Sequence, residues 1–459
     1  MFRNLFRELL LIASAATVFC YVAFYNHFPL TFDDTGAYLL SGFRNEVPDD
    51  RPILYGLFVR HISMWESLWL VIFSQGLILS YLLFLLFKHF LSIPIKLFWY
   101  VVLVVLLAFF TGASINVSQL IPDLFTSVML ICMALLLSGK LFTGEKIFVS
   151  VMLVFSTSTH NTHPLIGLIA LLIYTVVVLV CQTGGSIKSY LGSFLLAFML
   201  LMMGGFIIPG VNYLFNGHFG SNKASHVFTM YKLNEMGILD NYLIQSCETK
   251  HWQICEFRDS IPVNFIWDRH NSPVYKQGGW NATRGEYDSI ISDIFSQPRY
   301  IKWFAEKAVS NSMEQLFTFE AGKDLPQNTP ETAPYVYIQL FFPGDIKQVE
   351  LSRQYNRGLN FTRLNNWQFL ILIISIICLL LISFLHAAKI SPALSRTGLI
   401  LLLGIFSNAV VCGSLSIVVD RYQSRVIWLL PLFVFILLLE QRTVFASFKK
   451  LMSEEKSPS

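Results

Sequence analysis

The sequence predicts a polytopic α-helical membrane protein of about ten transmembrane helices, carrying an extracytoplasmic soluble domain of mixed α/β type. Three observations predict it. The 459 residues are 54% hydrophobic and 14% charged, with a mean hydropathy of +0.57, whereas soluble domains average roughly a quarter charged residues. Several apolar runs approach the ~20 residues that cross a bilayer. One polar stretch, 212–366, has ordinary globular composition and is too long for a connector.

The apolar runs fall at 8–25, 65–87, 95–112, 122–140, 146–159, 164–181, 189–210, 367–386, 397–413 and 426–440. They divide the chain into an N-terminal transmembrane module (1–211, about seven helices, first outer loop 26–64), a soluble domain (212–366), C-terminal transmembrane helices (367–440) and a cytoplasmic tail (441–459). The first run lacks a small-x-small cleavage site and reads as retained. Within the soluble stretch, "EYDSIISDIFSQPRYIKWFAEKAVSNSMEQLF" has apolar residues at helical spacing, "YVYIQLFF" reads as a strand and "KDLPQNTPETAP" as an extended connector.

Lys and Arg in short loops set the orientation. With the N-terminus inside, Arg3, Arg7, Lys88, Lys96, Lys140, Lys146, Lys188, Lys389, Arg396, Arg442, Lys449 and Lys450 fall inside, while the outer loops 112–121 and 159–163 carry no Lys or Arg. Arg44, Arg51, Arg60, Arg421 and Arg425 are the outer exceptions. Both termini are then cytoplasmic and the soluble domain extracytoplasmic. The net charge of +4 is modest and gives no hint of nucleic-acid binding. Cys20, Cys132, Cys181, Cys378 and Cys412 lie in or beside apolar runs, as small buried hydrophobes do. Cys247 and Cys255 bracket "CETKHWQIC" on the oxidising side, where a disulfide is allowed; two free thiols are the other reading.

Polar residues stranded at outer membrane edges are the functional candidates, because ionisable groups there are expensive and usually functional. They are Asp33 and Asp34 after the first run, Asp123 opening the fourth, His160 and His163 in "STHNTHP", and Arg421 and Arg425 in "VVDRYQSRVIW". Each has a plainer reading. Asp33, Asp34 and Asp123 suit helix N-caps. The histidines could be solvated loop residues, and the arginines, four apart on one helical face, could meet lipid headgroups nonspecifically.

The order and placement of these residues resemble the GT-C superfamily of membrane glycosyltransferases, such as protein O-mannosyltransferases and the aminoarabinose transferases of lipid A. The family often shows Asp-Glu-x-x-Tyr or a near variant in its first outer loop, where this chain has "DDTGAY" (Asp33 to Tyr38). A Pro- and Tyr-containing stretch, "RPILYG" with Tyr55, follows, and then Asp123 at a later outer edge. The resemblance covers residues 1–210. It implies transfer of a sugar from a polyprenyl-phosphate lipid to an envelope acceptor (lipid, glycan or protein), at the extracytoplasmic face of a bacterial inner membrane. It implies Asp33 as general base with Asp34 in support. Arg421, Arg425 and, less directly, Arg60 would bind the phosphate, with His160, His163, Asp123, Tyr38 and Tyr55 lining the site. A divalent metal is optional and would use Asp34, His160 and His163. A transporter or flippase of a lipid-linked or anionic solute, or another envelope transferase, is the alternative; uncharged span centres and the absence of a Gly-rich phosphate loop weigh against a transporter and against direct use of a cytosolic nucleotide-sugar.

Overall fold

The structure is a computed structural model describing residues 2–91, 96–181, 187–217, 219–384 and 390–454, without the side chains of 2–4, 181–190 and 442–454. Of the residues singled out above, Arg3, Cys181, Lys188, Lys389, Arg442, Lys449 and Lys450 lie outside the described side chains. The chain begins with α1 (Phe2–Phe19), then two short amphipathic helices, α2 (Asp33–Arg44) and α3 (Leu54–Ser63). The helices α4 (Trp69–Phe90), α5 (Lys96–Phe110), α6 (Leu124–Ser138), α7 (Thr143–Ser158), α8 (His163–Cys181) and α9 (Ile187–Asn216) run back and forth through a bundle. The polar stretch holds α10 (Ser225–Glu235), α11 (Ile238–Lys250), α12 (Arg284–Phe295), α13 (Pro298–Phe317) and α14 (Ala333–Phe341). The bundle is completed by α15 (Thr362–Phe384), α16 (Pro392–Leu415), α17 (Asp420–Ile427) and α18 (Leu429–Glu454).

Among the described residues, six helical stretches are long and apolar enough to cross a membrane: Trp69–Phe90, His163–Val180, Leu191–Asn216, Thr362–Phe384, Pro392–Leu415 and Asp420–Gln441. The chain is an integral membrane protein, but the expected count of about ten is corrected to six among the described residues. The physical reason is length and charge. Helices α5 and α6 have 15 residues each, about 22 Å of rise against a hydrocarbon core of ~30 Å. Helix α1 carries Arg3, Arg7 and Glu8, and α7 has 16 residues. Helix α6 is buried at every residue and packed against α4, α7, α9 and α16. A helix enclosed by protein can be apolar all round without matching the bilayer.

The expected mixed α/β soluble domain is also corrected. Among the described residues there is no strand, only a lone parallel bridge between Leu30 and Gln119. "YVYIQLFF" is helical, forming most of α14. Pro334 sits in its first turn, where its missing N–H costs nothing. Tyr335, Ile338 and Phe342 then bury one face at helical spacing in the bundle core. Packing overrides the β-propensity of Tyr, Val, Ile and Phe.

Residues 225–308 enclose their own core, with Met230, Leu233, Leu239, Tyr242, Phe265, Tyr287, Ile290 and Tyr300 fully or almost fully buried. Cys247 and Cys255 are joined by a disulfide at its edge. Helix α13 leaves this core and lies along α16, where Gly413 allows the backbones of Asn311 and Ser312 to approach. Residues 319–361 fold back onto the bundle instead: Ala321 and Leu325 join a small core with Val22 and Ile115, and α14 packs on α2. Helices α2 and α3 cross at Gly42 and Gly56, where a Cβ on Gly42 would overlap the Gly56 carbonyl. Gly42→Ala should therefore destabilise the protein by about 1–3 kcal/mol through overpacking, read as a lower Tm in detergent; an unchanged Tm would deny the close crossing.

Candidate functional site

The site begins with a short pinned segment ahead of α2. Leu30 N–H donates to Ser118 O (2.8 Å) and Leu120 N–H to Leu30 O (2.9 Å). Gln354 clasps Thr31 on the other side, accepting from its N–H (3.0 Å) and donating to its carbonyl (2.6 Å). Phe32 N–H donates to Thr35 Oγ1 (2.9 Å), satisfying a donor at the helix start. Asp33 and Asp34 therefore occupy the first turn of α2, where the macrodipole favours negative charge.

Their side chains have different fates. Asp34 accepts from Arg51 (Oδ1–Nη1 2.8 Å) and from Arg421 (Oδ2–Nη1 3.0 Å). Arg421 continues to Asp123, with Nε 3.5 Å from Oδ2. Arg425, four residues on and on the same face of α17, pairs with Asp123 Oδ1 at 3.2 Å. The guanidinium of Arg425 also donates to Asn408 Oδ1 from Nε (3.2 Å) and Nη2 (2.9 Å). The result is an alternating ladder, Arg51–Asp34–Arg421–Asp123–Arg425, drawn from α2, α3's approach, α6 and α17. Asp123 is 2% exposed and Arg425 0%. Arg421 stacks over Phe32 at 4.2 Å and lies 5.2 Å from the Tyr422 ring; Arg51 lies over Tyr38 at 5.3 Å and pairs with Asp50.

The two adjacent carboxyls are driven apart. Burial alone would raise Asp34, but the guanidiniums of Arg51 and Arg421 outweigh it and hold the carboxyl well below its usual range. Asp33 faces solvent and has no ion pair or side-chain hydrogen bond among the described residues. The surrounding protein still excludes enough water to raise its carboxyl above the usual range, and the Asp34 charge adds to this, with Arg421 opposing.

His160 sits beside the ladder with its ring 5.2 Å from that of His163. Burial first, then His163, Arg425 and Arg421, hold His160 neutral well below the ordinary histidine value. Its Nδ1 accepts from Thr162 N–H (3.2 Å). His163 is fully buried; its Nδ1 donates to Ser156 O (2.7 Å), so Nε2 accepts from the Thr126 hydroxyl (2.7 Å). With both nitrogens of His163 and both oxygens of Asp34 occupied, the set Asp34, His160 and His163 does not fit a metal. Among the described residues no group of three or more His, Cys, Asp or Glu is placed to hold one.

Tyr55 and Tyr38 support the site from below. Their rings meet edge-on at 5.0 Å, and Tyr55 OH donates to Gln75 Oε1 (2.9 Å), whose amide donates to Val117 O and Gln119 O. Arg60 is not part of the ladder. It donates to Asn45 Oδ1 and to Gly42 O at the other end of α2, about 12 Å along the helix, and lies over Trp65. Arg425 is enclosed by protein, so its expected contact with a phosphate is replaced by a contact with Asp123.

Residues that the sequence did not single out complete the arrangement. The loop 319–325 straps over α17: Glu320 N–H donates to Asp420 Oδ1 (2.8 Å), Lys323 Nζ pairs with Asp420 Oδ2 (3.2 Å), and Arg421 N–H donates to Asp324 Oδ2 (3.4 Å). A narrow cleft with an accessible volume of about 10 Å³, room for roughly one water, opens between the strap, Phe32, Gln119 and Arg421. One signal was visible beforehand: Asn408 is a polar amide inside the apolar run of α16, and such residues form interhelical hydrogen bonds. Arg51 stood out only as an outer exception to the Lys and Arg bias, and Gln119 and Asp324 had no such signal.

The fold thus defines an integral membrane protein with a buried ionic ladder at the bundle end that also carries the polar stretch. Comparison with family models, curated proteins and solved structures gives no match.

Arg425→Met should strand the Asp123 carboxylate and destabilise by about 3–5 kcal/mol, with Asp123→Asn in the same chain recovering a large part. Thermal unfolding of the solubilised protein checks both; equal stability of single and double variants would contradict the pairing.

Proposed function

We propose that this chain is a membrane glycosyltransferase of the GT-C kind, moving a sugar from a polyprenyl-phosphate donor to a cell-envelope acceptor at the extracytoplasmic face. The observation that carries the proposal is the division of labour between Asp33 and Asp34. Paired titratable groups whose environments push their pKa values apart mark acid/base assignments. Asp34 is locked ionised between two guanidiniums, while Asp33 is unpaired, faces solvent and is raised toward the range a general base needs.

In the reaction, the acceptor hydroxyl gives its proton to Asp33 as its oxygen attacks the anomeric carbon. The bond from that carbon to the phosphate oxygen breaks, and polyprenyl phosphate leaves with the electron pair. Arg421 is the guanidinium available to the leaving group: its Nη1 and Nε face Asp34 and Asp123, and its Nη2 has no partner among the described residues. Arg425 and Asp123 are positioning residues that fix Arg421. The Lys and Arg bias supports an orientation with both termini cytoplasmic and the polar stretch outside, and the glycosyltransferase reading implies a bacterial inner membrane.

Asp33→Asn should lower transfer from a polyprenyl-phosphate sugar at least about 100-fold in isolated membranes, with abundance unchanged; full activity would remove Asp33 as base. The pH dependence has a definite sign. A raised carboxyl costs stability above its unfolded value of ~3.9 and is relieved on acidification, so Asp33→Asn should not destabilise at neutral pH. A depressed carboxyl contributes stability above ~3.9 and loses it only below, as pH falls through the lower folded value, so Asp34 stays ionised across the working range. Wild-type transfer should then fall on acidification through a single group lying above the ordinary carboxylate value, and a flat profile down to pH ~4 would contradict the assignment.

A further inference from the structure

The bundle has a second charged end, away from the ladder. Helix α4 starts beside the site, where Gln75 meets Tyr55, and runs 22 residues to Phe90, about 33 Å of rise. Helix α6 likewise leads from Asp123 in the ladder to Gly139 at this far end. Three lysines gather where α4 stops. Lys96 Nζ donates to Lys88 O (3.3 Å), and Lys140 Nζ donates to His89 O (3.2 Å). The two ammoniums close on neighbouring carbonyls of one helical turn, at the negative end of the helix dipole. Capping accounts for one N–H of each, and an ammonium carries three.

The carboxylates at this end are already taken. Glu145 Oε1 accepts from Lys88 Nζ (2.7 Å). Its Oε2 meets His89 Nε2 at 2.7 Å and accepts from Phe142 N–H (3.1 Å). Glu8 of α1 acts on Lys88 as well. Among the described residues neither Lys96 nor Lys140 has a carboxylate partner; Lys140 is exposed and Lys96 half-buried. Lys140 is held over the Phe90 ring at 4.9 Å. Two fixed cations with spare donors therefore face outward, and an anion is what would meet them.

The surface beside them is apolar. Leu97, Phe98 and Val101 are exposed in the first turns of α5, as are Phe142 just ahead of α7 and Ile147 and Val151 on it. A free inorganic anion has no use for such flanks. A molecule with an anionic head and hydrocarbon tails matches both parts. The Lys and Arg bias assigns this end to the cytoplasmic side, where acidic headgroups bind basic pockets between helices.

We propose that the end of α4 binds one anionic phospholipid of the cytoplasmic leaflet, its phosphate shared by Lys96 and Lys140 and its acyl chains against the exposed faces of α5 and α7. The bound phosphate ties the start of α5 and the turn after α6 to the end of α4. The site lies at the opposite end of the bundle from Asp33 and stands without the glycosyltransferase reading.

The test is native mass spectrometry of the full chain in detergent, titrated with dioleoyl phosphatidylglycerol or dioleoyl phosphatidylcholine. The first phosphatidylglycerol should bind about tenfold or more tighter than phosphatidylcholine. That preference should vanish in Lys96→Gln with Lys140→Gln, whose amides can still cap α4, and persist in Lys96→Arg with Lys140→Arg. Lys146→Gln should leave it intact, since Lys146 is exposed in the first turn of α7 and outside the cap. The unaltered chain gives a second reading in nanodiscs. Adding phosphatidylglycerol to phosphatidylcholine should slow acetylation of Lys96 and Lys140 at least about threefold relative to Lys146. Equal binding of the two lipids, equal loss of preference in Lys146→Gln, or equal slowing at all three lysines would overturn the proposal. Loss of the preference in millimolar inorganic phosphate would also overturn it, by marking a free-anion site.

Discussion

A buried alternation of charge holds this end of the molecule together. Asp123 and Arg425 are almost wholly withdrawn from water, so each charge requires its neighbour. Arg421 extends the alternation toward solvent and hands it to Asp34, which Arg51 closes on the far side. The partners are separated by as many as 387 positions in the chain, between Asp34 and Arg421. Any assembly that left one rung unmade would bury an uncompensated charge, so the ladder specifies how α2, α6 and α17 meet. It also fixes the strap, because Asp420 and Arg421 each bind it through one hydrogen bond to the 319–325 loop.

The ladder explains why two neighbouring aspartates behave differently. Position in the first turn of α2 gives both the same helix dipole, yet only Asp34 points at guanidiniums. Asp33 is left with water on one side and a fixed negative charge on the other. Burial is the larger cause of the raised proton affinity of Asp33, and the Asp34 charge adds to it. The aromatic layer of Phe32, Tyr38 and Tyr422 excludes water from the guanidinium faces and so strengthens the same pairs.

What could be read from the sequence followed from local chemistry. Apolar composition fixed the membrane class, and the placement of Asp34, Asp123, Arg421 and Arg425 at helix ends drew attention to residues that do share one network. The failures have physical causes. A hydropathy window registers a helix such as α6 as a span, because a helix buried in protein and one bathed in lipid are equally apolar. "YVYIQLFF" has strand-like residues, but its buried set falls at Tyr335, Ile338 and Phe342 once α2 offers a surface. An arginine near a membrane edge has the same sequence whether it reaches for a phosphate or for a buried carboxylate; only the enclosure of Arg425 distinguishes them. Arg51 meets Asp34 because α2 and α3 cross at two glycines, a tertiary fact with no signal in either segment.

The most direct measurement is a double-mutant cycle on Asp34 and Arg421, with Asp34→Asn, Arg421→Gln and the pair compared by thermal unfolding of the solubilised protein. A ladder predicts coupling between them of about 1 kcal/mol or more, since contacting charged residues commonly couple by 0.5–3 kcal/mol. Effects that add to within about 0.5 kcal/mol, as independent sites do, would contradict it.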